Sequence, residues 1–167
     1  AEPALIAAQS SVSGVQAKDL KELQGYRNPS ANIKLALESC IALVKNMNTA
    51  PNWTTHVLPA LKAEGFKKSI IEFEKEKISP KCKAFIIGNY ISQPNYDITA
   101  FYRASKALGP LAEWTKSILE FADIFERIAP MREELEQLEQ EKTEMVAEMD
   151  VLTAEIQELN DNKERMT

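Results

Sequence analysis

Few side chains in this sequence have the types and spacing that catalysis or metal binding requires. The chain has one histidine, His56, and two cysteines, Cys40 and Cys82. A lone histidine without a nearby nucleophile pattern is a weak candidate for a general base, and Cys40 lies on an apolar helical stripe, where a free cysteine usually belongs to the core. The sequence contains no phosphate-binding loop, dinucleotide-binding glycine pattern, EF-hand or metal-ligand spacing. We therefore expect no catalytic residue, no metal site and no cofactor, and instead a binding or mechanical function.

The basic residues are the other candidates, because they concentrate in one part of the chain. Residues 1–110 contain 14 Lys+Arg and 9 Asp+Glu, and residues 111–167 contain 6 and 16, so the two parts carry net charges of +5 and −10. A basic surface steers and holds an acidic partner, whereas the acidic part is expected to be mostly a solvated helix. No apolar run approaches the roughly 20 residues that cross a bilayer. We expect the protein to have no membrane partner and to occupy a reduced compartment. We also expect this chain to be a piece of a longer protein.

The longest element predicted to position these residues is a C-terminal helix. Residues 131–166 contain no Gly or Pro and are rich in Glu, Leu, Met, Gln and Lys. Apolar residues recur at two positions of each heptad, and 12 of the 14 such positions from Phe121 to Met166 are apolar, the exceptions being Lys142 and Lys163. A seam of this kind requires a second helix to cover it. We expect the segment that covers residues 131–166 to lie before the first residue of this chain.

The rest of the chain predicts short helices joined by turns, with no strand-like alternation. The predicted N-cap residues are Ser30, Asn52, Ser79 and Asp97. Pro59 is expected to disturb the helix that starts at Trp53, and Gly109 is expected to close one helix before Pro110 begins the next. The prediction is an all-α fold, a compact bundle of about six short helices at the tip of an antiparallel coiled coil. Its parts are residues 1–16, 17–109 and 110–167.

The N-terminal helix is the natural partner for the start of the long helix, because two helices that leave one bundle side by side run antiparallel. With Pro3 placed beside Pro130, the predicted neighbours are Leu5 with Ile128, Val12 with Phe121 and Val15 with Ile118, and Ile124 lies on the same seam. Trp53 and Trp114 are large enough to anchor the small core, so we expect both to be packed.

Several motifs resemble the stalk tip of a dynein heavy chain, the microtubule-binding domain on its antiparallel coiled coil. "AEPALIAAQ" is similar to the end of the outgoing stalk helix, "NPSANIKLALESC" to the second helix of the domain and "NYISQPNYD" to its Asn-Tyr…Pro…Tyr loop. "YRASKALGPLAEW" is similar to the basic helix and Gly-Pro junction, and "IAPMREELEQLE" to the base of the returning stalk helix. The motifs follow the family's order over nearly the whole chain. "KLALESC" and "RAS" resemble the cytoplasmic branch more than the axonemal one, which is not excluded.

The resemblance implies ATP-sensitive binding of microtubules (αβ-tubulin), with an affinity that is controlled by sliding of the two stalk helices. It also implies a cytoplasmic, cytoskeleton-associated motor, whose ATPase ring lies in the remainder of the heavy chain. Binding is implied through the first, third and sixth short helices. The candidate residues are Lys18 and Lys21 in the first, Arg27 after it, Lys62 in the third, and Arg103 and Lys106 in the sixth. Arg103 and Lys106 are three residues apart on one predicted helix, so we expect them to share a face.

The sequence departs from the family pattern where basic residues are expected. In the first short helix Gln16 and Ala17 stand where a Lys pair is expected, and in the third helix Thr54, Thr55 and Val57 stand where basic residues are expected. Ala129 replaces a Glu before Pro130. These departures predict a lower affinity. The main alternative is a coiled-coil scaffold or adaptor with a helical head, which predicts parallel dimers and no microtubule binding. A nucleic-acid binder is the third interpretation, but the net charge is modest and no recognised motif accompanies it, so we expect no nucleic-acid partner.

Overall fold

The computed structural model describes the backbone of residues 2–166 and the side chains of residues 3–162, and the regular structure in this range is entirely helical. The α-helices are α1 (Glu2–Ser13), α2 (Ala17–Gln24), α3 (Ala31–Val44), α4 (Leu58–Lys62), α5 (Phe66–Ile71), α6 (Pro80–Ile86), α7 (Ile98–Ala104) and α8 (Leu108–Met166). A π-helical turn at Trp53–Val57 precedes α4, another at Ile87–Ile91 follows α6, and a 3₁₀ turn covers Lys75–Lys77. The all-α prediction is confirmed. None of the described helices is both long and apolar enough to span a bilayer.

Helix α3 is the central support of the bundle. Ile33, Leu37, Cys40 and Ile41 are buried as their spacing predicts, and Val44 is half-buried. The helix contacts α6, α7 and both π-helical turns. Because neighbours cover it on several sides, its residues from Ser39 to Leu43 are all buried, and the helix is apolar around most of its circumference.

The predicted N-caps hold at three of four positions. Asn52 accepts hydrogen bonds from the backbone N–H groups of Thr54 and Thr55, and Ser79 and Asp97 cap α6 and α7 in the same way. Ser30 was predicted to cap α3, and its backbone is extended as a cap requires, but its side chain forms no capping hydrogen bond. Its carbonyl alone takes part, accepting from the N–H of Lys34 at 3.0 Å.

Contacts divide the chain into two units, Ala1–Ile124 and Phe125–Thr167. The first unit contains the bundle, and one apolar cluster there includes the inner faces of α1 and of the first turns of α8. Helix α1 contributes Leu5, Ala8 and Val12, each 1% exposed, and packs against α5.

The second unit lies within α8 and carries an uncovered apolar stripe. The seam residues that are more than half exposed are Met131, Leu135, Leu138, Met145, Met149, Leu152, Ile156 and Leu159. The side chains of Lys163 and Met166, the last two positions of the predicted seam, lie outside the described residues. The helix continues through Pro130, although a proline inside a helix removes one backbone hydrogen bond.

Candidate functional site

Helix α2 presents its lysines to solvent because its apolar residues face the bundle. Leu23 is buried and Leu20 is half-buried, whereas Lys18 and Lys21 are exposed. The two lysines are three residues apart and therefore share a helix face. Asp19 lies in the first turn, where a negative charge suits the helix dipole.

Two hydrogen bonds between distant parts of the chain join α2 to α4, and the loop after α2 to the π-helical turn that precedes α4. Gln24 Nε2 donates to the carbonyl of Leu61 at 2.9 Å, and Trp53 Nε1 donates to the carbonyl of Tyr26 at 2.9 Å. Exposed Arg27 directly follows Tyr26, and exposed Lys62 directly follows Leu61. The backbone segments that carry Lys18, Lys21, Arg27 and Lys62 therefore belong to one hydrogen-bonded region of the bundle.

The π-helical turn at Trp53–Val57 contains three of the residues that stand where basic ones are expected. Thr54 and Thr55 are exposed, but Val57 is fully buried and belongs to the core. His56 has a local structural contact, because its Nδ1 accepts from the backbone N–H of Asn52 at 2.9 Å. This bond fixes the start of the turn.

Helix α7 carries Arg103 and is anchored on its inner side. Phe101 is fully buried and packs edge-to-face against Tyr96, with ring centroids 5.0 Å apart. Helix α7 also contacts α3. Arg103, on the outer side, is exposed.

The predicted shared face of Arg103 and Lys106 is wrong. Helix α7 ends at Ala104, and Ser105 has an extended backbone (φ −161°, ψ 145°). Ser105 is buried and its Oγ accepts from the N–H of Ala107 at 3.2 Å, which stabilises a turn there. Lys106 is exposed on this turn, so its direction is set by the α7–α8 connection and not by helical periodicity.

Removing the cap of α7 is expected to destabilise the bundle. Asp97 accepts from the N–H of Thr99 at 3.0 Å. We expect Asp97→Ala to lower the free energy of unfolding by about 1 kcal/mol and Asp97→Asn, which can still cap, to change it by much less. Urea unfolding followed by circular dichroism measures both. Equal stability of the two variants would contradict a capping role.

Gly109 does not close α7 as predicted, but lies at the second residue of α8. A Cβ at this position would overlap the ring of Tyr102. Gly109 is therefore required for the close approach of a side chain from α7 to the backbone of α8. Tyr102 also donates a hydrogen bond from its hydroxyl to Oε2 of Glu113, so its contacts extend along one turn of α8.

The first turns of α8 are held by aromatic and charged contacts. Trp114 is fully buried and packs edge-to-face against Phe73, with centroids 5.4 Å apart. Trp53 is 8% exposed, so the prediction that both tryptophans are packed is confirmed. Lys75 Nζ lies 4.6 Å from the centroid of the Phe121 ring.

An ion pair also joins α6 to α8, because Lys83 Nζ lies 3.4 Å from Oδ1 of Asp123. The lysine side chain is 14% exposed and the aspartate 36%, so the pair is only partly screened by water. The aromatic contacts therefore fix the start of α8 to the segment between α5 and α6, and the ion pair fixes it to α6.

A buried polar network joins α3 to α8. Ser39 Oγ lies 3.0 Å from the hydroxyl of Tyr96, which also donates to the carbonyl of Ala112. Burial raises the pKa of the Cys40 thiol to about 12, and a hydrogen bond with Thr115 opposes that rise. The thiol is therefore neutral near pH 7, and Cys40 lies in the core as its position on an apolar helical stripe predicts.

The six predicted binding residues lie on different elements of the bundle, and the side chains of all six are exposed. Lys18, Lys21, Arg27 and Lys62 lie on the connected α2–α4 region, and Arg103 and Lys106 lie on α7 and the turn after it. None of the six takes part in an ion pair within residues 3–162. Their charges are therefore exposed to solvent, as binding to an acidic surface requires.

The predicted stalk residues fall into two groups. In the first unit Leu5 and Val12 are buried, Pro3 is exposed, Phe121 is half-buried and Ile124 is 41% exposed. In the second unit Ile128 is half-buried and Pro130 is exposed. The pairing of Leu5 with Ile128 and of Pro3 with Pro130 stays a prediction.

Sequence reasoning missed two contacts, one at the C-terminal end of α1 and one at the start of α8. Lys67 Nζ donates to the carbonyl of Val15 at 2.6 Å, where a positive charge suits the C-terminal end of α1. Tyr102 joins α7 to α8 through Gly109 and Glu113. The Gly-Pro pair was a local signal for the second contact, but no local pattern indicates the first.

Comparison with known proteins supports one family over the whole chain. Residues 1–167 match the family model described as the microtubule-binding stalk of dynein motor. The chain is 36% identical over 142 residues, 84% of its length, to a cytoplasmic dynein heavy chain of Drosophila melanogaster. It is 34% identical over 157 residues, 93% of its length, to that of Dictyostelium discoideum. The chain spans about 3% of the length of each relative. This chain therefore belongs to the family of microtubule-binding stalks of dynein motors.

Proposed function

We propose that this chain is the ATP-sensitive, αβ-tubulin-binding tip of a dynein motor, with its affinity set by sliding of α1 against α8. The observation that carries the proposal is the family match over residues 1–167. In functional terms we assign residues 1–16 to the outgoing stalk helix, 17–109 to the binding bundle and 110–167 to the returning stalk helix. The ATPase belongs to the remainder of the heavy chain, and the site of action is the cytoplasmic cytoskeleton.

The exposed basic residues support tubulin as the partner. Six lysine and arginine side chains project from α2, the loop after it, α4, α7 and the α7–α8 turn. Exposed charges of one sign accelerate encounter with an oppositely charged surface and hold the partner through hydrogen-bonded ion pairs. A binding mode of this kind weakens as salt screens the charges.

The stripe on α8 supports the sliding part of the proposal. Its two-position apolar pattern favours a coiled coil, but Lys142 interrupts it and Met145 and Met149 are adaptable side chains. Two alignments of the paired helices along such a seam can therefore have similar free energies. A slip of one helical turn is about 5.4 Å, a discrete step of the kind that packed helices make.

The contacts within the bundle support movement of α1 and not of the first turns of α8. The start of α8 is held by Trp114 on Phe73, by Phe121 under Lys75 and by Asp123 beside Lys83. At the end of α1, a hydrogen bond runs from Lys67 of α5 to the Val15 carbonyl. We propose that α1 shifts while the first turns of α8 stay with the bundle.

Cosedimentation with microtubules at low and moderate salt tests the binding function. We expect the chain to pellet with microtubules and to bind less at the higher salt concentration. A chain that dimerises in parallel through α8 and stays in the supernatant would favour the adaptor interpretation. Retention by nucleic acid but not by microtubules would favour the third one.

Cross-linking α1 to α8 in two alignments tests the role of sliding. Double cysteine variants at Val12 with Phe121, and at Val12 with Ser117, place the link one turn apart on α8. The natural cysteines, Cys40 and Cys82, are buried and do not compete. We expect the two oxidised forms to differ about tenfold in microtubule affinity, a typical coupling energy between sites. The same proteins after reduction are the controls, and equal affinity of both oxidised forms would show that the stalk is a spacer.

A further inference from the structure

Residues 66–75, which include α5 and are called the α5 segment below, contact both helices of the proposed stalk. Helix α5 packs against α1. The residues after α5 hold the start of α8, because Phe73 packs against Trp114 and Lys75 lies over the ring of Phe121. The position of α1 relative to α8 therefore depends on how the α5 segment holds each of them.

Lys67 joins the α5 segment to the end of α1. Its Nζ donates to the carbonyl of Val15 at 2.6 Å, and its side chain is half-buried. Phe66 is 4% exposed and Ile70 is fully buried, so the backbone that carries Lys67 is fixed in the core. A lysine ammonium has three N–H donors, and its positive charge is stabilised by the dipole at the C-terminal end of a helix. Lys67 therefore holds the end of α1 from a fixed position.

The carbonyl that Lys67 holds is attached to the last turn of α1. The N–H of Val15 donates to the carbonyl of Val12 at 3.1 Å, and the N–H of Gly14 donates to the carbonyl of Ser10 at 3.2 Å. A shift of α1 by one turn, about 5.4 Å, therefore carries the Val15 carbonyl out of reach of the Lys67 ammonium. A shift toward α2 places the carbonyls of Ser10 and Val12 nearer to Lys67, but these already accept backbone N–H groups. The bond thus favours the present register.

We infer that Lys67 is a positioning residue that selects the register of α1 against α8 by holding the Val15 carbonyl in the present alignment. The inference rests on the sliding mechanism proposed above, and it assigns the side chain that opposes the slip. In the present register the α5 segment holds both stalk helices, α1 through Lys67 and α8 through Phe73 and Lys75. After a slip of α1 by one turn, the contacts to α8 remain and the bond to α1 is lost.

The test compares three single substitutions on α5. Lys67→Met removes the ammonium group and keeps an unbranched side chain, so the hydrogen bond is lost with little change in packing. Lys67→Arg keeps a charged donor and is expected to retain the bond. Lys68→Met is the matched control, because it makes the same change of charge and side chain at the next residue of α5, which is exposed. Circular dichroism of each variant verifies that the helix content of the parent chain is retained.

The register is measured without microtubules in a chain that carries cysteines at Val12, Ser117 and Phe121. In a glutathione buffer this chain forms either the Val12–Phe121 link, predicted for the present register, or the Val12–Ser117 link, one turn away. Mass spectrometry of the digested chain gives the ratio of the first link to the second. We expect Lys67→Met to lower this ratio about tenfold, as the loss of a hydrogen bond from a charged group does.

The other two substitutions decide whether this change belongs to the hydrogen bond. Lys67→Arg should keep the ratio close to that of the parent chain, and Lys68→Met should leave it unchanged. The same ratio in Lys67→Met and Lys68→Met overturns the inference. A ratio that falls equally in Lys67→Met and Lys67→Arg also overturns it, because the charged donor is then not the cause.

Microtubule affinity separates a failure of this inference from a failure of the sliding mechanism. In the two double cysteine variants the oxidised link fixes the register, so Lys67→Met should leave the affinity of each form unchanged. In the unlinked chain the same substitution should shift the affinity toward that of the Val12–Ser117 form. An equal loss in linked and unlinked chains overturns the role of Lys67 in register selection. Equal affinity of the two linked parent forms overturns the sliding mechanism, and the ratio of the two links still decides whether Lys67 selects the register.

Discussion

Charge reversal of Arg103 or Lys106 is expected to lower microtubule affinity at least about tenfold, because each variant removes an attraction to an acidic partner and adds a repulsion. Both side chains are exposed and neither takes part in an ion pair seen among the described residues. Arg103→Glu and Lys106→Glu should therefore retain the helix content of the parent chain. Cosedimentation over a range of tubulin concentrations measures the change.

Matched controls separate a local effect from the change in net charge. Arg132→Glu and Lys81→Glu alter the chain's charge by the same amount at exposed positions outside the proposed interface. We expect both to bind nearly as the parent does. If Arg103→Glu and Lys106→Glu pellet like these controls, the α7 region does not belong to the interface. Since Lys106 lies on a turn and Arg103 on a helix, each variant tests its own position.

Truncation of Trp114 is expected to produce the largest loss of stability, about 3–5 kcal/mol for Trp114→Ala. The side chain is fully buried at the start of α8 and packs against Phe73, so its removal leaves a cavity where α8 joins the bundle. A loss of this size is a large part of the roughly 5–15 kcal/mol that stabilises a typical domain. Urea unfolding followed by Trp53 fluorescence reports on the bundle and not on the long helix.

Trp114→Phe is the informative comparison for that variant. The indole N–H of Trp114 is buried and has no hydrogen-bond partner among the described residues, whereas that of Trp53 donates to the Tyr26 carbonyl. Replacement of Trp114 by Phe removes an unsatisfied donor, which offsets part of the lost packing. We expect a loss well below that of Trp114→Ala. Equal losses in the two variants would contradict this explanation.

The sequence by itself determined the features that depend on neighbours within one or two helical turns. The caps at Asn52, Ser79 and Asp97 follow from short side chains placed before amphipathic segments, and the structure confirms them. The buried face of α3 and the two-position stripe on α8 follow from the helical repeat. These features, with the order of the motifs, were sufficient to predict the all-α fold and the family.

Tertiary structure decided the features that depend on residues far apart in the chain. The extended backbone at Ser105 separates Lys106 from the face of Arg103, and Gly109 accommodates the Tyr102 ring where the sequence predicted a helix end. The bond of Lys67 to the Val15 carbonyl spans 52 residues. Periodicity and capping signals describe how a helix meets its own turns and the core in general. They carry no information on which particular side chain of another element lies against it, because that choice is made by packing of the whole bundle.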